Sequence, residues 1–213
     1  MDNDKIWKQA VKFPQSLALE FNDVMPIIED WKGKKILDYG CGGGRDALEL
    51  AIPGAKVYGV DISKSNIKNA KKLFKDNKLK GEFKLINEGD DIPYPDDFFD
   101  GVVCNGVMHH IEEPNKPMSE ISRTLKKKGI MYLMLYTEEL FRMNMNNIEN
   151  MLKNRIGRTW QNCFGEITDR CMYSTFYTIS SLNDLSVRNK FKLLIYANFH
   201  LNQFRIHKLE NNK

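Results

Sequence analysis

Short apolar runs alternate with amphipathic stretches over the first two thirds of the chain. The apolar runs predict strands and the amphipathic stretches predict helices. The predicted strands are 35–39, 56–60, 82–86, 98–104 and 130–136, and the predicted helices are 44–51, 64–77 and 115–127. Strands that alternate with helices in this way indicate an α/β fold, with a parallel sheet and helices on both of its faces.

The two ends of the chain depart from this alternation. Residues 3–31 have a helical apolar pattern that Pro14 and Pro26 interrupt. Residues 137–178 show no clear strand pattern, and this length is typical of a helical cap insertion rather than a plain loop. A helix at 179–188 and a hairpin of two strands, 192–198 and 203–209, are predicted to follow.

The length of 213 residues fits a single domain. Within it we expect an N-terminal helical segment, a central core, a cap and a final helix with its hairpin, at 1–31, 33–136, 137–178 and 179–213. The net charge is +4, and lysines cluster at 32–35, 68–80 and 126–128. We interpret these clusters as solvated surface, so a nucleic-acid partner is disfavoured without being excluded.

The four cysteines do not have the spacing of metal ligands, so no metal site is predicted. We expect Cys41 and Cys104, which lie at predicted strand ends, to be reduced, as is typical of a cytoplasmic protein; a zinc or disulfide role for Cys163 and Cys171 has no support in the sequence. No apolar run approaches the length of a membrane span, and the polar N-terminus lacks the core of a signal peptide.

A glycine cluster follows the first predicted strand. Gly40, Gly42 and Gly44 precede the next helix, which predicts a tight turn where the backbone can approach a ligand. Dinucleotide-binding turns have the spacing G-x-G-x-x-G, and Arg45 stands where their third glycine belongs. The pattern therefore disfavours a pyrophosphate ligand.

Acidic residues follow the next two predicted strands. Asp61 comes directly after strand two, and 88–91 follow strand three. An ionised carboxylate accepts hydrogen bonds only, which suits the two hydroxyls of a ribose. Since ligands of open α/β sheets bind beyond the carboxyl ends of the strands, these residues predict a nucleoside site.

Four motifs in order resemble the class I S-adenosylmethionine-dependent methyltransferases, in particular the type 11 methyltransferase domain. They are Asp38–Gly44, Val60–Ser63, Ile92–Asp100 and Asn105–His110. The resemblance implies a Rossmann-like, seven-stranded, mostly parallel sheet with an antiparallel last strand. It also implies S-adenosyl-L-methionine as the cofactor.

By this resemblance, Asp61 holds the ribose and the glycine turn approaches the cofactor. The family usually has Gly-Asp on the adenine side, whereas this chain has Asn87-Glu88, so Glu88 and Asp90 both stay open as the adenine contact. The expected cofactor contacts are Asp38, Gly40, Cys41, Gly42, Asp61, Ile62, Glu88, Gly89, Asp90 and Asn105.

Methyl transfer from a sulfonium needs an acceptor placed in line and, for an acceptor that carries a proton, a base. His109 and His110 are the candidate catalytic bases. The candidates for an acceptor pocket are aromatic and basic residues in or near the cap: Tyr136, Arg170, Tyr173 and Tyr177.

The expected reaction is methyl transfer to an O or N atom of a small metabolite or of a saccharide or lipid precursor. The segment after strand four, Asn105-Gly106-Val107-Met108, lacks the Pro-Pro motif of enzymes that methylate amino groups of bases. RNA methylation remains an alternative, as does a non-catalytic nucleoside-binding partner subunit. The sequence leaves the oligomeric state open.

Overall fold

The computed structural model describes residues 31–136, 177–199 and 204–213. The predicted N-terminal helix and almost all of the predicted cap lie outside these ranges. In chain order, the elements are β1 (Lys35–Tyr39), α1 (Arg45–Ala51), β2 (Lys56–Asp61), α2 (Lys64–Asp76), β3 (Gly81–Leu85), β4 (Phe99–Asn105), a 3-10 turn (Met108–His110), α3 (Asn115–Thr124), β5 (Leu125–Tyr136), α4 (Ile179–Arg188), β6 (Phe191–Phe199) and β7 (Phe204–Asn211).

The described strands form one seven-stranded sheet with the order β3-β2-β1-β4-β5-β7-β6. β1 is parallel to β2 and to β4, whereas β7 is antiparallel to both β5 and β6. This confirms the predicted Rossmann-like sheet with its antiparallel last strand. The chain order reverses direction between β1 and β4, which is the position where open α/β sheets bind ligands.

One boundary differs from the prediction by several residues. The helix before β5 ends at Thr124 rather than 127, and β5 begins at Leu125 rather than 130. The amides of Asp97 and Phe98 donate to the carbonyls of Arg123 and Thr124, at 3.1 and 2.8 Å. Those carbonyls therefore accept hydrogen bonds from the segment before β4 and not from a further helical turn. This accounts for the early end of the helix.

The chain divides into two compact units. The first comprises residues 1–103 with 123–129, and the second comprises 104–122 with 130–213. In the first unit, Ile36 and Leu37 of β1 are completely buried. A strand with apolar residues on both faces is typical of the centre of a parallel sheet.

Aromatic rings cover one side of the first unit. Tyr58 makes edge-to-face contacts with Tyr94, Phe98 and Phe99, with ring centroids 5.2 to 5.6 Å apart. The guanidinium of Arg123 donates to the carbonyls of Ile92 and Tyr94, at 2.9 and 3.0 Å. These contacts fix the loop between β3 and β4 against the sheet.

In the second unit, a buried polar pair joins α3 to β7. The Asn211 side-chain amide donates to the Ser122 carbonyl at 2.8 Å and accepts from the Ser122 hydroxyl at 3.2 Å. α4 begins with a capping box, in which Thr178 and Ser181 bond each other's backbone amides. These contacts hold the two helices of this unit in place.

Candidate functional site

The glycine turn is fastened to the end of β2. The amides of Gly40 and Cys41 both donate to the carbonyl of Val60, at 2.8 and 3.0 Å. Gly42 has φ +51 and Gly44 has φ +85, a region that side chains with a Cβ rarely adopt. The turn therefore depends on glycine at these positions for its backbone conformation.

The two glycines also differ in their surroundings. A Cβ placed on Gly44 would lie 2.9 Å from the Cα and Cβ of Ala70, so Gly44 allows α1 to pack closely on α2. A Cβ placed on Gly42 would meet none of the described residues within 4 Å. Within the described part of the chain, Gly42 thus has the free space expected of a turn residue that faces a ligand.

Asp61 at the end of β2 is buried and organises this turn. One carboxylate oxygen accepts from the Gly42 amide at 2.8 Å. The other accepts from the Ser63 amide at 2.7 Å and from the Asn66 side chain at 3.2 Å. Sequence reasoning identified Asp61 but missed its bond to Gly42, which the adjacency of two parallel strand ends could have indicated.

Asp38 is only 1% exposed, at the carboxyl end of β1. Burial, and next the negative charge of Asp46, raise the pKa of its carboxyl group, while a hydrogen bond from the Ala47 amide opposes them. Its Oδ2 has no hydrogen-bond partner among the described residues. A buried acceptor beside an open glycine turn is compatible with a ligand that carries a donor, such as the ammonium group of S-adenosylmethionine.

The loop after β3 closes as a turn over residues 87–90. The carboxylate of Asp90 accepts from both the backbone and the side-chain amide of Asn87, at 2.9 and 2.8 Å. Gly89 has φ +78, and Glu88 is exposed. Ile62 is 59% exposed, which is unusual for a large apolar side chain.

Sequence reasoning missed another buried carboxyl group, Glu49 of α1. Its Oε1 lies 3.6 Å from Nε of Arg45, and its Oε2 has no partner among the described residues. Burial, and then Asp46, raise the pKa of Glu49 to about 7, against the lowering effect of Arg45. Its position in an amphipathic helix gives no sign of this burial.

Cys41 is also buried within the turn. Burial raises the pKa of its thiol far above the ordinary value, and the negative charges of Asp38 and Asp61 add to this. The thiol is therefore neutral and is not a nucleophile.

The second unit carries the candidate bases. His109 is completely buried, whereas His110 is half-buried, and their ring centroids lie 4.2 Å apart. Burial, and then His110, lower the pKa of His109, although a hydrogen bond with the backbone of Met134 opposes them. Asn105, at the end of β4, is half-buried. Of the two histidines, His110 has the surface that a base requires.

The acceptor candidates are only partly covered by the structure. Tyr177 is buried and lines a cavity of about 330 Å³ in the second unit, together with Glu112, Asn115 and Arg188. Arg170, Tyr173 and the side chain of Tyr136 lie outside the described part. Among the described residues, no group of three His, Cys, Asp or Glu is placed to hold a metal ion. No described helix is both long and apolar enough to cross a membrane.

Comparison with known proteins gives consistent results. A family model described as a methyltransferase domain matches residues 30–190. The ubiquinone biosynthesis O-methyltransferase of Dechloromonas aromatica is 28% identical over 127 residues, covering 56% of this chain and 55% of the relative. The corresponding protein of Pelagibacter ubique is 36% identical over 102 residues, or 48% of this chain and 42% of the relative. The chain thus spans about half the length of the curated relatives it matches.

Solved structures share the fold. One of them is magnesium protoporphyrin IX methyltransferase from Synechocystis, which was solved with bound S-adenosylhomocysteine. It superposes on this chain with a TM-score of 0.70 at 16% identity, and the superposition covers 98% of this chain and 94% of the Synechocystis chain. With the family model matching more than two thirds of the residues, the chain belongs to the class I S-adenosylmethionine-dependent methyltransferases.

Proposed function

We propose that this protein transfers a methyl group from S-adenosyl-L-methionine to a hydroxyl oxygen of a small molecule. One observation carries the proposal. The buried carboxylate of Asp61 holds the amide of Gly42 where no described residue crowds it, and the buried Asp38, two residues before Gly40, has an oxygen without a partner among the described residues. This arrangement favours a ligand with both hydroxyl and ammonium donors.

On the adenine side, we assign the contact to Glu88 rather than to Asp90. Both hydrogen bonds from Asn87 are accepted by Oδ2 of Asp90, which holds that side chain within its own turn, whereas the side chain of Glu88 is exposed. The exposed Ile62 supplies an apolar surface for the ring. Asp61 then accepts from the ribose hydroxyls while it keeps Gly42 in position.

The bound cofactor supplies an activated methyl group on a positively charged sulfur, which leaves as a neutral thioether. The protein's own tasks are to orient the two reactants and to remove the proton of the acceptor hydroxyl. His110 is the proposed base. His109 is buried with a lowered pKa, and it supports the ring of His110 in edge-to-face contact.

The acceptor class is inferred from the relatives. Those named above are O-methyltransferases of ubiquinone biosynthesis, which points to a hydroxyl group on a quinone precursor. The residues proposed to hold this acceptor are those of the predicted cap, 137–178, which includes Tyr177, together with Tyr136. Arginine and aromatic side chains in that segment suit a planar, anionic molecule.

The test is transfer of a labelled methyl group to a catechol or a dihydroxybenzoate, with the product identified by mass spectrometry. We expect an O-methylated product, and we expect His110→Ala to lower kcat and to remove the acidic limb of the pH profile, because a base loses its function when it is protonated. Label in RNA but not in the phenol would establish the RNA alternative. Cofactor binding without product from either acceptor would indicate a non-catalytic subunit.

A further inference from the structure

The lysine clusters of the sequence have no task in methyl transfer, yet the fold brings some lysines of each cluster together in the first unit. Lys35 of β1 is paired in register with Lys56 of β2. Lys80 directly precedes Gly81, which is paired with Val57 of β2. Neighbouring strands lie roughly 4.8 Å apart, so three lysines span about 10 Å of one edge. We call this the amino edge: the starts of β1, β2, β3 and β5, with Lys32, Lys34, Lys35, Lys56, Lys78, Lys80 and Lys126–Lys128.

The acidic residues near this edge are already engaged. Asp100 accepts from Nζ of Lys126 at 2.7 Å and from the Lys35 amide at 2.8 Å. Glu82 accepts from the Tyr94 hydroxyl at 3.1 Å and pairs with Lys84 at 2.8 Å. Seven lysines of the amino edge are exposed and make no ion pair with another described residue: Lys32, Lys34, Lys56, Lys78, Lys80, Lys127 and Lys128.

A shallow groove lies between two of these lysines. It has a volume of about 490 Å³ and is lined by Lys56, Lys80 and Glu82, whose charge is already paired with Lys84, together with apolar groups of Ala55, Val57 and Leu79. The amino edge therefore combines uncompensated positive charge with a small apolar recess, which complements an anionic head group attached to hydrocarbon.

The amino edge is separate from the cofactor turn. Lys35 begins β1, and the turn starts at Gly40, five residues later, so roughly 16 Å of extended strand lies between them. A partner held by these lysines is at the amino ends of the strands, whereas the cofactor residues are at their carboxyl ends. The amino edge is thus a docking surface and not part of the acceptor site.

The chemistry of the edge favours a membrane over a nucleic acid. The two arginines in the described part of this unit are engaged, Arg45 with Glu49 and Arg123 with backbone carbonyls. The ring of Phe98 packs on Tyr58 and Tyr94, and Nζ of Lys35 lies 3.8 Å from its centroid, so these rings are already engaged. Guanidinium groups and base stacking strengthen nucleic-acid binding, whereas a row of lysines is enough to attract an anionic bilayer.

From this we infer that the amino edge docks the protein on an anionic phospholipid surface. Parallel strands that begin at one level present their lysines in one row, and each lysine near such a surface adds to the attraction. The recess between Lys56 and Lys80 then receives the apolar part of a lipid. Docking on this edge leaves the carboxyl ends of the strands facing away from the bilayer.

The experiment is flotation with vesicles of phosphatidylglycerol and phosphatidylcholine, compared with phosphatidylcholine alone. We expect the protein to bind only the anionic vesicles and to dissociate at high salt. The double variant K56E/K80E should bind at least about thirtyfold more weakly. The control K64E/K68E changes the same net charge at the other end of the unit, in the first turns of α2, and should keep most of the binding.

Titration with S-adenosylhomocysteine separates this inference from the proposed function. K56E/K80E should bind it as the unchanged protein does, which also shows that the variant is folded. If both double variants lost vesicle binding equally, the net charge of the protein and not the amino edge would determine binding, and the inference would be overturned. Absence of binding to anionic vesicles would do the same, as would tight binding to single-stranded RNA that K56E/K80E abolishes.

Discussion

Replacement of Asp61 by alanine should damage both the glycine turn and the cofactor site. Its carboxylate accepts from the amides of Gly42 and Ser63 at 2.8 and 2.7 Å, so alanine leaves two backbone donors without their acceptor. An unsatisfied buried donor costs about 1–3 kcal/mol. A loss of about 2 kcal/mol in the free energy of unfolding should lower Tm by roughly 4–8 °C for a protein of this length.

The effect on the cofactor should be larger than this. With the ribose bound, the variant lacks two charge-assisted hydrogen bonds, which together contribute on the order of 2–4 kcal/mol. This corresponds to a loss of roughly thirtyfold to a thousandfold in affinity. The assay is calorimetric titration with S-adenosylhomocysteine, alongside thermal unfolding of the free variant.

Asp100→Ala is the matched control. Asp100 also accepts from a backbone amide and from a side chain, but it lies at the amino end of the sheet. Its loss should lower Tm without changing the affinity for S-adenosylhomocysteine. If Asp61→Ala lowered Tm and left this affinity unchanged, Asp61 would be only a structural acid, and the assignment of the ribose site would be refuted.

Three further changes test other parts of the site. Gly42→Val should abolish binding of S-adenosylhomocysteine in a folded protein. Gly44→Ala should chiefly lower Tm, because its Cβ would lie 2.9 Å from the neighbouring helix. If the two variants lost affinity for S-adenosylhomocysteine equally, Gly42 would not be the residue that faces the ligand. Glu88→Ala should weaken cofactor binding more than Asp90→Ala does, and calorimetry showing the reverse order would reassign the adenine contact. The pKa of Glu49 is raised to about 7, so the group stays protonated in the folded state up to that pH, whereas in the unfolded chain it loses its proton near 4.5. The free energy of unfolding should therefore decrease as pH rises from 4.5 to 7. Glu49→Gln should remove this decrease, which unfolding in denaturant at several pH values would detect.

The order of strands and helices followed from the sequence because parallel strands bury both faces. The completely apolar pair Ile36-Leu37 and the glycines after it mark β1 without ambiguity. The predicted end of α3 is wrong because the backbone amides of residues 97 and 98 donate to the last carbonyls of the helix. A contact between residues so far apart in sequence leaves no local pattern near the helix end.

The sequence predicted which residues belong to the candidate site, but it did not predict which of them contact one another. The choice of Asp61 needed only its position after β2, whereas its bond to Gly42 depends on the register of two strands. The burial of Glu49 likewise depends on what packs on α1, because a charged side chain by itself favours an exposed position. The meeting of lysines at the amino edge required the pairing of β1 with β2 and of β2 with β3, which no spacing along the chain reveals.

The most direct test of the central claim is a calorimetric comparison of S-adenosylhomocysteine and NAD on the unchanged protein. The G-x-G-x-G turn, with Arg45 in place of a third glycine, and the carboxylates of Asp38 and Asp61 predict one-to-one binding of S-adenosylhomocysteine, with no comparable binding of NAD. Tighter binding of NAD than of S-adenosylhomocysteine would contradict the account.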